Sequence, residues 1–171
     1  MSFKQEQKNK KLRDATLVFL IKRSENQIVD MCLAMKKRGF GMNRWNGVGG
    51  KVEKNETIEE AAIREAKEEI GVDVKNIEKV AELSFFFPHE PSFDQLVHVY
   101  FSENWDNEPI ETEEMNPKWF SSSEIPFKEM WPDDIHWLPK AIKGKPLKAM
   151  FEFGENDVVL KKKVRVIRKF K

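Results

Sequence analysis

One stretch constrains this chain more than any other: residues 50–72, with the sequence GKVEKNETIEEAAIREAKEEIGV. Thr57 and Glu60 have the spacing of a capping box, so we predict that a helix begins there. Apolar residues at helical spacing continue to Ile70, and Gly71 is suited to end the helix. The stretch therefore predicts a loop followed by an amphipathic helix.

Three glutamates share one side of this predicted helix. Glu65, Glu68 and Glu69 lie at relative positions i, i+3 and i+4, and like charges at such spacings oppose a helix by roughly 0.2–0.5 kcal/mol per pair. A divalent cation would reverse the sign of that interaction, because Mg²⁺ and Mn²⁺ prefer carboxylate and phosphate oxygens. The stretch therefore predicts a metal site that acts on a phosphate-containing ligand.

The composition favours one folded domain. The chain has 171 residues, 40% of them hydrophobic, with 13 Phe and 5 Trp, which suffices for a core and argues against extensive disorder. The single cysteine, Cys32, excludes an internal disulfide and is predicted to lie in the core. No apolar run reaches the length of about 18 residues that suggests a membrane span. We predict a cytoplasmic monomer without a membrane partner.

The net charge of +1 is unevenly distributed, since the acidic excess lies in the middle of the chain and residues 161–171 hold seven bases and no acid. We predict a basic N-terminal tail over residues 1–13, a single domain over residues 14–160, and a basic C-terminal segment over residues 161–171 that finishes the last strand. Basic ends can contact nucleic acid, but short ones more often only solubilise a protein, and we favour that role.

Apolar and alternating segments predict a mixture of strands and helices. Strands are predicted at residues 15–21, 28–35, 80–87, 96–101, 118–121, 148–153 and 157–170. The first two and the last two of these are predicted to form hairpins. A second helix is predicted to begin near Pro132, to contain Pro139 and to end near Gly144. Residues 103–118 are predicted to form a surface connection.

The first stretch also satisfies the Nudix box, GX5EX7REUXEEXGU, in which U is an aliphatic residue. Gly50, Glu56 and residues 64–72 match every fixed position, and the small Ala66 is the one soft departure. Residues 36–51 and 125–137 resemble the flanking segments of MutT-type Nudix enzymes that hydrolyse oxidised purine nucleoside triphosphates. This resemblance covers about residues 15–168, with departures at residues 42–43, 54–55 and 85–87.

The resemblance implies an α+β fold, an α/β/α sandwich around a central mixed sheet. It also implies Mg²⁺-dependent hydrolysis, with Mn²⁺ as an alternative, of nucleotides such as 8-oxo-dGTP and 2-hydroxy-dATP to a monophosphate and pyrophosphate. The implied metal ligands are Glu65, Glu68, Glu69, the backbone of Gly49 and Glu114. Glu69 is the favoured general base, followed by Glu68. Arg64 would orient a glutamate, its alternative being a solvated helix residue.

The resemblance places base recognition outside the box. Trp131 would stack on a purine, and Asp133 and Asp134 would bind its edge, because a close acid pair titrates in two separated steps. Without the Trp-Pro-Asp-Asp context, that pair would be expected only to cap a helix. The implied substrate-binding residues are Thr16, Lys36, Phe40, Asn46, Val48, Gly49, Gly50, Lys51, Phe85, Trp131, Pro132, Asp133 and Asp134. Thr16 is also compatible with a strand residue whose hydroxyl is satisfied.

Two other functions stay open at this level. A hydrolase of capped RNA, or of another nucleoside diphosphate derivative, would use the same box, and the basic ends favour it slightly. A nucleotide- or RNA-binding module without turnover is the alternative of a different class. The intact glutamate cluster argues against that module, because binding alone gives no reason to keep like charges at unfavourable spacings.

Overall fold

Ten strands and two helices make up residues 11–171, the part of the chain that the computed structural model describes. In chain order they are β1 (Arg13–Ser24), β2 (Gln27–Lys36), β3 (Trp45–Asn46), α1 (Ile58–Ile70), β4 (Asp73–Lys75), β5 (Glu78–Phe86), β6 (Gln95–Ser102), β7 (Asn104–Asp106), β8 (Met115–Ser121), α2 (Asp134–Ile142), β9 (Leu147–Phe153) and β10 (Val159–Val166). Of the predicted N-terminal tail, residues 1–10 lie outside the described part, and Arg13 already begins β1. Within residues 11–171 no helix is long and apolar enough to span a membrane.

A mixed sheet holds the molecule together. Its strands run in the order β10-β9-β5-β6-β1-β2-β3, with β8 paired to β2. The pairs β1–β6 and β5–β9 are parallel, whereas the predicted hairpins β1–β2 and β9–β10 are antiparallel. The mixed sheet and both hairpins are therefore confirmed. The last strand ends at Val166, so residues 161–166 of the basic C-terminal segment belong to β10.

The two helices cover opposite faces of this sheet, because neighbouring residues of a strand point to opposite sides. In β1, Val18 and Leu20 join the core under α1, whereas Phe19 and Ile21 join the core under α2. Cys32 lies in the α1-side core, as predicted, and burial raises the pKa of its thiol to about 12. The α/β/α sandwich is therefore confirmed.

The prediction of a plain surface connection over residues 103–118 was wrong in part. Asn104–Asp106 forms β7, which pairs with β4 in a separate two-stranded sheet. Met115–Ser121 forms β8, which starts earlier than the predicted strand and pairs with β2. Three residues are too few to show a periodic pattern, and Pro117 inside β8 lowers the strand signal of its sequence.

The ends of α1 are fixed as the sequence predicts. The Thr57 hydroxyl accepts a hydrogen bond from the Glu60 N–H at 3.1 Å, and the Glu60 carboxylate accepts one from the Thr57 N–H at 2.8 Å. At the other end Gly71 has φ of 73°, and its N–H donates to the Lys67 carbonyl. This φ favours glycine. The two caps determine which residues of α1 face the sheet. They also determine which residues face the segment before the helix, which contains Gly47, Gly49 and Gly50.

Candidate active site

A cavity of about 510 Å³ opens between the sheet and the loops on the α2 side, a size that suits a small-molecule ligand. Eleven of the thirteen residues implied to bind substrate line it: Thr16, Lys36, Phe40, Asn46, Gly49, Gly50, Lys51, Phe85, Trp131, Asp133 and Asp134. The other two do not. Val48 is buried in the α1-side core, and Pro132 lies outside the cavity wall.

Glycines 49 and 50 allow the segment before α1 to lie directly against its neighbours. The Thr16 N–H donates to the Gly50 carbonyl at 2.8 Å, and the Thr16 hydroxyl lies 3.4 Å from the same oxygen. A Cβ on Gly49 would collide with the Thr16 carbonyl, and one on Gly50 would lie 2.5 Å from Glu65 Oε1. Neither position therefore accepts a side chain without displacing backbone or the helix glutamate.

On the acidic side of α1, Glu69 is buried and Glu65 is half-buried. The Gly49 N–H donates to Glu69 Oε2 at 3.1 Å. Burial raises the pKa of Glu69 to about 8, and repulsion from Glu65 and Glu114 acts in the same direction. Burial also raises the pKa of Glu65. Both carboxyls are therefore held in surroundings where an added positive charge would favour their ionised forms.

Arg64 supplies positive charge to this cluster. Its Nε and Nη2 donate to the two carboxylate oxygens of Glu56 at 2.9 and 2.7 Å, and its Nη1 donates to Glu65 Oε1 at 2.9 Å and to Glu68 Oε2 at 3.2 Å. These bonds lower the pKa of Glu56 to about 2. Arg64 is thus tied into the loop and helix rather than solvated, and its bidentate partner is Glu56, a fixed position of the box that the predicted site omitted.

Oxygen-rich acidic side chains are the donors that Mg²⁺ prefers, so this cluster fits the implied metal by its chemistry. Within residues 11–171, however, no three acidic, histidine or cysteine side chains converge closely enough to hold an ion as they stand. The hydrogen bonds of Arg64 to Glu65 and Glu68 give a physical reason, because the guanidinium occupies carboxylate oxygens that a metal would need. Glu114, the remaining implied ligand, has its carboxylate 3.4 Å from Arg38 Nη2.

Asp133 and Asp134 form a buried pair on the cavity wall, 2% and 3% exposed. The Trp137 indole N–H lies 2.9 Å from Asp133 Oδ2 and 3.1 Å from Asp134 Oδ1, and can donate to both. Asp133 occupies the N-cap position of α2, but no side chain caps the helix there. The capping alternative is therefore wrong, because the carboxyls point to the indole and the cavity.

Burial raises the pKa values of both carboxyls of this pair. It raises the pKa of Asp133 to about 6. It raises the pKa of Asp134 well above its usual range, and the neighbouring Asp133 charge adds to that effect. Asp134 Oδ2 is buried with no hydrogen-bond partner among residues 11–171. Because burial and the neighbouring charge disfavour the charged form of Asp134, the pair favours a proton on Asp134 beside an ionised Asp133, and in that state it can both accept and donate hydrogen bonds.

Aromatic side chains form the walls beside this pair. Phe40 lies 4.9 Å from Trp131 and 4.6 Å from Phe93 between ring centroids, and Phe87 stacks on Phe153 at 5.0 Å. The wall residues that the sequence reasoning missed are Arg13, Ala15, Leu17, Gly41, Gly47, Leu83, Phe87, Ser92, Phe93, Gln95, Val97, Met115 and Phe153. Strand alternation from the predicted Phe85 would have identified Leu83 and Phe87, whereas Phe93 and Phe153 gave no such signal.

Asn46, Lys36 and Lys51 complete the polar lining. Asn46 Oδ1 accepts from the Gly47 N–H at 2.8 Å, so its amide nitrogen is the donor that remains for a ligand. The positive charge of Lys36 acts on Glu69 and opposes the rise of its pKa. The cavity thus places two lysines, a buried acid pair and an aromatic wall within reach of one ligand, and its Gly49–Gly50 end lies next to Glu69 and Glu65 of α1.

A family model for the NUDIX domain matches residues 11–141, more than half of the chain. Together with the sandwich and the cluster on α1, this match shows that the chain belongs to the Nudix family. A solved structure described as a MutT protein from Bacillus halodurans has the same fold, with a TM-score of 0.72, 23% identity and coverage of 90% of this chain and 97% of that chain.

Two relatives have a higher sequence identity to this chain than that solved structure has. The oxidized purine nucleoside triphosphate hydrolase of Mus musculus is 43% identical over 138 residues, which is 81% of this chain and 88% of that protein. The protein of the same name from Danio rerio is 44% identical over 132 residues, covering 77% of this chain and 84% of that protein. The matched part includes most of the length of each relative.

Proposed function

We propose that this protein hydrolyses oxidised purine nucleoside triphosphates, of the 8-oxo-dGTP and 2-hydroxy-dATP type, to the monophosphate and pyrophosphate. It would thereby remove damaged bases from the nucleotide pool. The observation that carries the proposal is one cavity that extends from a buried acid pair to Gly49 and Gly50, whose backbone lies against Glu69 and Glu65 of α1. The two relatives of 43% and 44% identity, both described as oxidized purine nucleoside triphosphate hydrolases, support it.

The acid pair suits a purine edge that both donates and accepts. An ionised Asp133 would accept hydrogen bonds from ring or exocyclic N–H groups, and a protonated Asp134 would donate to a carbonyl oxygen. Trp131 and Phe40 supply apolar surface for a planar ring. Because the base would be desolvated there, a substrate without the matching groups would leave a buried carboxyl unpaired, which costs roughly 1–3 kcal/mol.

The chemistry would take place at α1. Glu65, Glu68 and Glu69, with the Gly49 carbonyl and Glu114, would hold Mg²⁺, or Mn²⁺ in its place, which would neutralise phosphate oxygens and activate water. Glu69 accepts the proton of the attacking water in this proposal, and the Gly49 N–H fixes the orientation of its carboxylate. Lys36 and Lys51 face the same cavity and would bind the phosphate chain.

A panel assay tests the proposal. The purified protein is incubated with Mg²⁺ and 8-oxo-dGTP, 2-hydroxy-dATP, dGTP, ADP-ribose or capped RNA, and the products are identified. We expect faster turnover of the oxidised purines, with a monophosphate and pyrophosphate as products. Equal or faster turnover of dGTP, ADP-ribose or capped RNA would contradict the proposal, and no turnover of any compound would favour the binding module.

The basic strand β10 is the observation that favours capped RNA as a second candidate. Lys161, Lys163 and Arg165 alternate along it and are exposed. They lie on the edge strand of the sheet, whereas the cavity walls come mainly from the central strands. We therefore keep nucleic acid as a disfavoured partner, and the monomeric state and the cytoplasmic location stay predictions.

A further inference from the structure

Arg44 and Asp157 form an ion pair between two segments that are far apart in the chain. Arg44 ends the loop between β2 and β3, and Asp157 lies in the turn between β9 and β10. Arg44 Nη1 donates to Asp157 Oδ2 at 2.8 Å across 113 positions of sequence. The two side chains are 27% and 30% exposed. The pair therefore links the loop before β3 to the turn before β10 over the α2-side face of the sheet. These two strands stand at opposite ends of the strand order.

The same arginine contacts the residues that we assign to base recognition. Its guanidinium carbon lies 4.3 Å from the centre of the Trp131 ring, in a cation–π arrangement. Its charge lowers the pKa of both Asp133 and Asp134, opposing the effect of burial. Arg44 is therefore placed to act on the stacking surface and on the acid pair at once.

The backbone on both sides of the ion pair is held in place. The Lys36 N–H donates to the Arg44 carbonyl at 3.1 Å, and the Asn43 N–H donates to the Lys36 carbonyl at 2.9 Å. On the other side the Gly154 N–H donates to the Val158 carbonyl at 2.8 Å and closes the turn that carries Asp157. The guanidinium is thus fixed by its own loop, by Asp157 and by the indole.

We propose that the Arg44–Asp157 ion pair is a clasp that positions Trp131 against the Asp133–Asp134 pair, and so sets how strongly the cavity prefers an oxidised purine to an unmodified one. Arg44 and Asp157 are positioning residues in this proposal. It rests on the proposed function, because it concerns the selectivity of that site. Without Asp157 the guanidinium would lose one of its fixed partners, and the indole that it covers would tilt more freely.

The proposal has an energetic signature. Residues that act as one unit show coupled effects, so the loss from removing both partners is smaller than the sum of the two single losses. The metal ligands on α1 and the proposed general base, Glu69, lie on elements that the ion pair does not contact, so the clasp should affect KM and base preference more than kcat. A pair that served only folding stability would instead leave KM and base preference unchanged.

The test compares Arg44→Gln, Asp157→Asn, the double variant and Arg44→Lys in the full chain. Kinetics are measured on 8-oxo-dGTP and dGTP. We expect KM for 8-oxo-dGTP to rise about tenfold in each single variant, with kcat within about twofold and a double variant no worse than either single one. Arg44→Lys should recover part of the loss, because it keeps the charge but not the planar stack.

The pH dependence gives a second readout. The charge of Arg44 on its loop acts on both carboxyls of the acid pair, and the other basic groups that line the same cavity are Arg13 on β1, Lys36 on β2 and Lys51 before α1. Arg44→Gln removes a cation, so the pH at which base preference changes should move upward. Asp157→Asn removes the anion that partly neutralises Arg44, so that pH should move downward. Simple loosening of the fold gives no reason for opposite shifts.

Asp106→Asn is the matched control, because it removes the 2.7 Å ion pair with Lys75 in the small β4–β7 sheet by the same change of charge. It should leave KM and base preference unaltered. Unchanged KM and base preference in Arg44→Gln and Asp157→Asn would overturn the clasp, whether or not their melting temperatures fall. Failure of the unaltered protein to prefer 8-oxo-dGTP would instead overturn the proposed function.

Discussion

Carboxyl groups line the cavity at its α2 end and lie next to its Gly49–Gly50 end on α1, but their surroundings differ. On α1 the side chains of Glu65 and Glu68 are 14% and 58% exposed, and Arg64 donates hydrogen bonds to both. On α2 Asp133 and Asp134 are buried against an indole N–H. The first set can be neutralised by a cation, whereas burial favours the protonated forms of the second. In the proposed function, the same functional group therefore serves phosphate chemistry at one end and base recognition at the other.

The two ends also differ in how the chain assembles them. The acidic side of α1 comes from one continuous stretch with its own caps and its own arginine. The recognition end combines a loop after β2, strands β5 and β6, the start of α2 and the end of β9. A change at one end should therefore leave the function of the other largely intact, and the following variants test that separation.

Glu69→Gln should have the largest effect. It removes the carboxylate that we assign as general base and should lower kcat by about 10²–10⁴-fold. Binding of 8-oxo-dGTP, measured by titration calorimetry with Ca²⁺ in place of Mg²⁺, should persist with unchanged preference over dGTP. A wild-type rate would refute the assignment of the base, and an altered base preference would break the separation of the two ends.

Asp133→Asn should act on the other end. Replacing the ionised carboxylate by an amide removes a charged acceptor from a buried site, so discrimination between 8-oxo-dGTP and dGTP should fall by about 10–100-fold in kcat/KM. Turnover of whatever purine triphosphate still binds should change much less. An equal loss on every nucleotide would show that Asp133 supports the fold rather than the choice of base.

Base preference should depend on pH through this pair. Asp133, with its pKa raised to about 6, gains a proton as the pH falls below that value, and its side chain then can donate a hydrogen bond as well as accept one. We expect the ratio of kcat/KM for 8-oxo-dGTP and dGTP to change between pH 7.5 and 5 with a midpoint near 6. In Asp133→Asn that midpoint should disappear, and its persistence would assign the titration to another group.

Thr57→Ala should have the smallest effect, confined to stability. It removes the side-chain half of the capping box on α1, which is worth about 1 kcal/mol. Denaturant unfolding should show that loss, with kcat and base preference unaltered once the protein is folded. A change of kcat well beyond twofold would mean that the cap also controls the positions of the glutamates.

The sequence predicts the parts of this molecule that are local. Thr57, Glu60 and Gly71 lie within one helix, and hydrogen bonds between near neighbours identify its ends before any packing is known. The two hairpins have the same local character. In contrast, Arg44 and Asp157 meet only because the sheet brings β3 and β10 into one structure. No pattern in the sequence predicts that contact.

In the candidate site, too, only the residues that lie close together in the sequence could be predicted from their spacing. The box identifies Glu65, Glu68 and Glu69 as one group by their helical spacing alone. Trp131 and the two aspartates were predicted from the resemblance. The structure adds Phe153 beside Trp131 and Phe93 beside Phe40, and both belong to segments without a motif. The short strand β7 and the proline-containing β8 were missed because their pairing partners, rather than their own sequences, determine their conformation.

Strand β1 contributes side chains to both cores of the sandwich. Val18 and Leu20 pack under α1, and Phe19 and Ile21 pack under α2. A substitution at one of these positions would shift the strand and disturb the hydrolytic side and the base-binding side together. Directed evolution of a new base preference should therefore avoid this strand. Substitutions on β5 and in the loop after β2, which contribute residues to the cavity wall but none to the α1-side core, offer the engineer a more independent starting point.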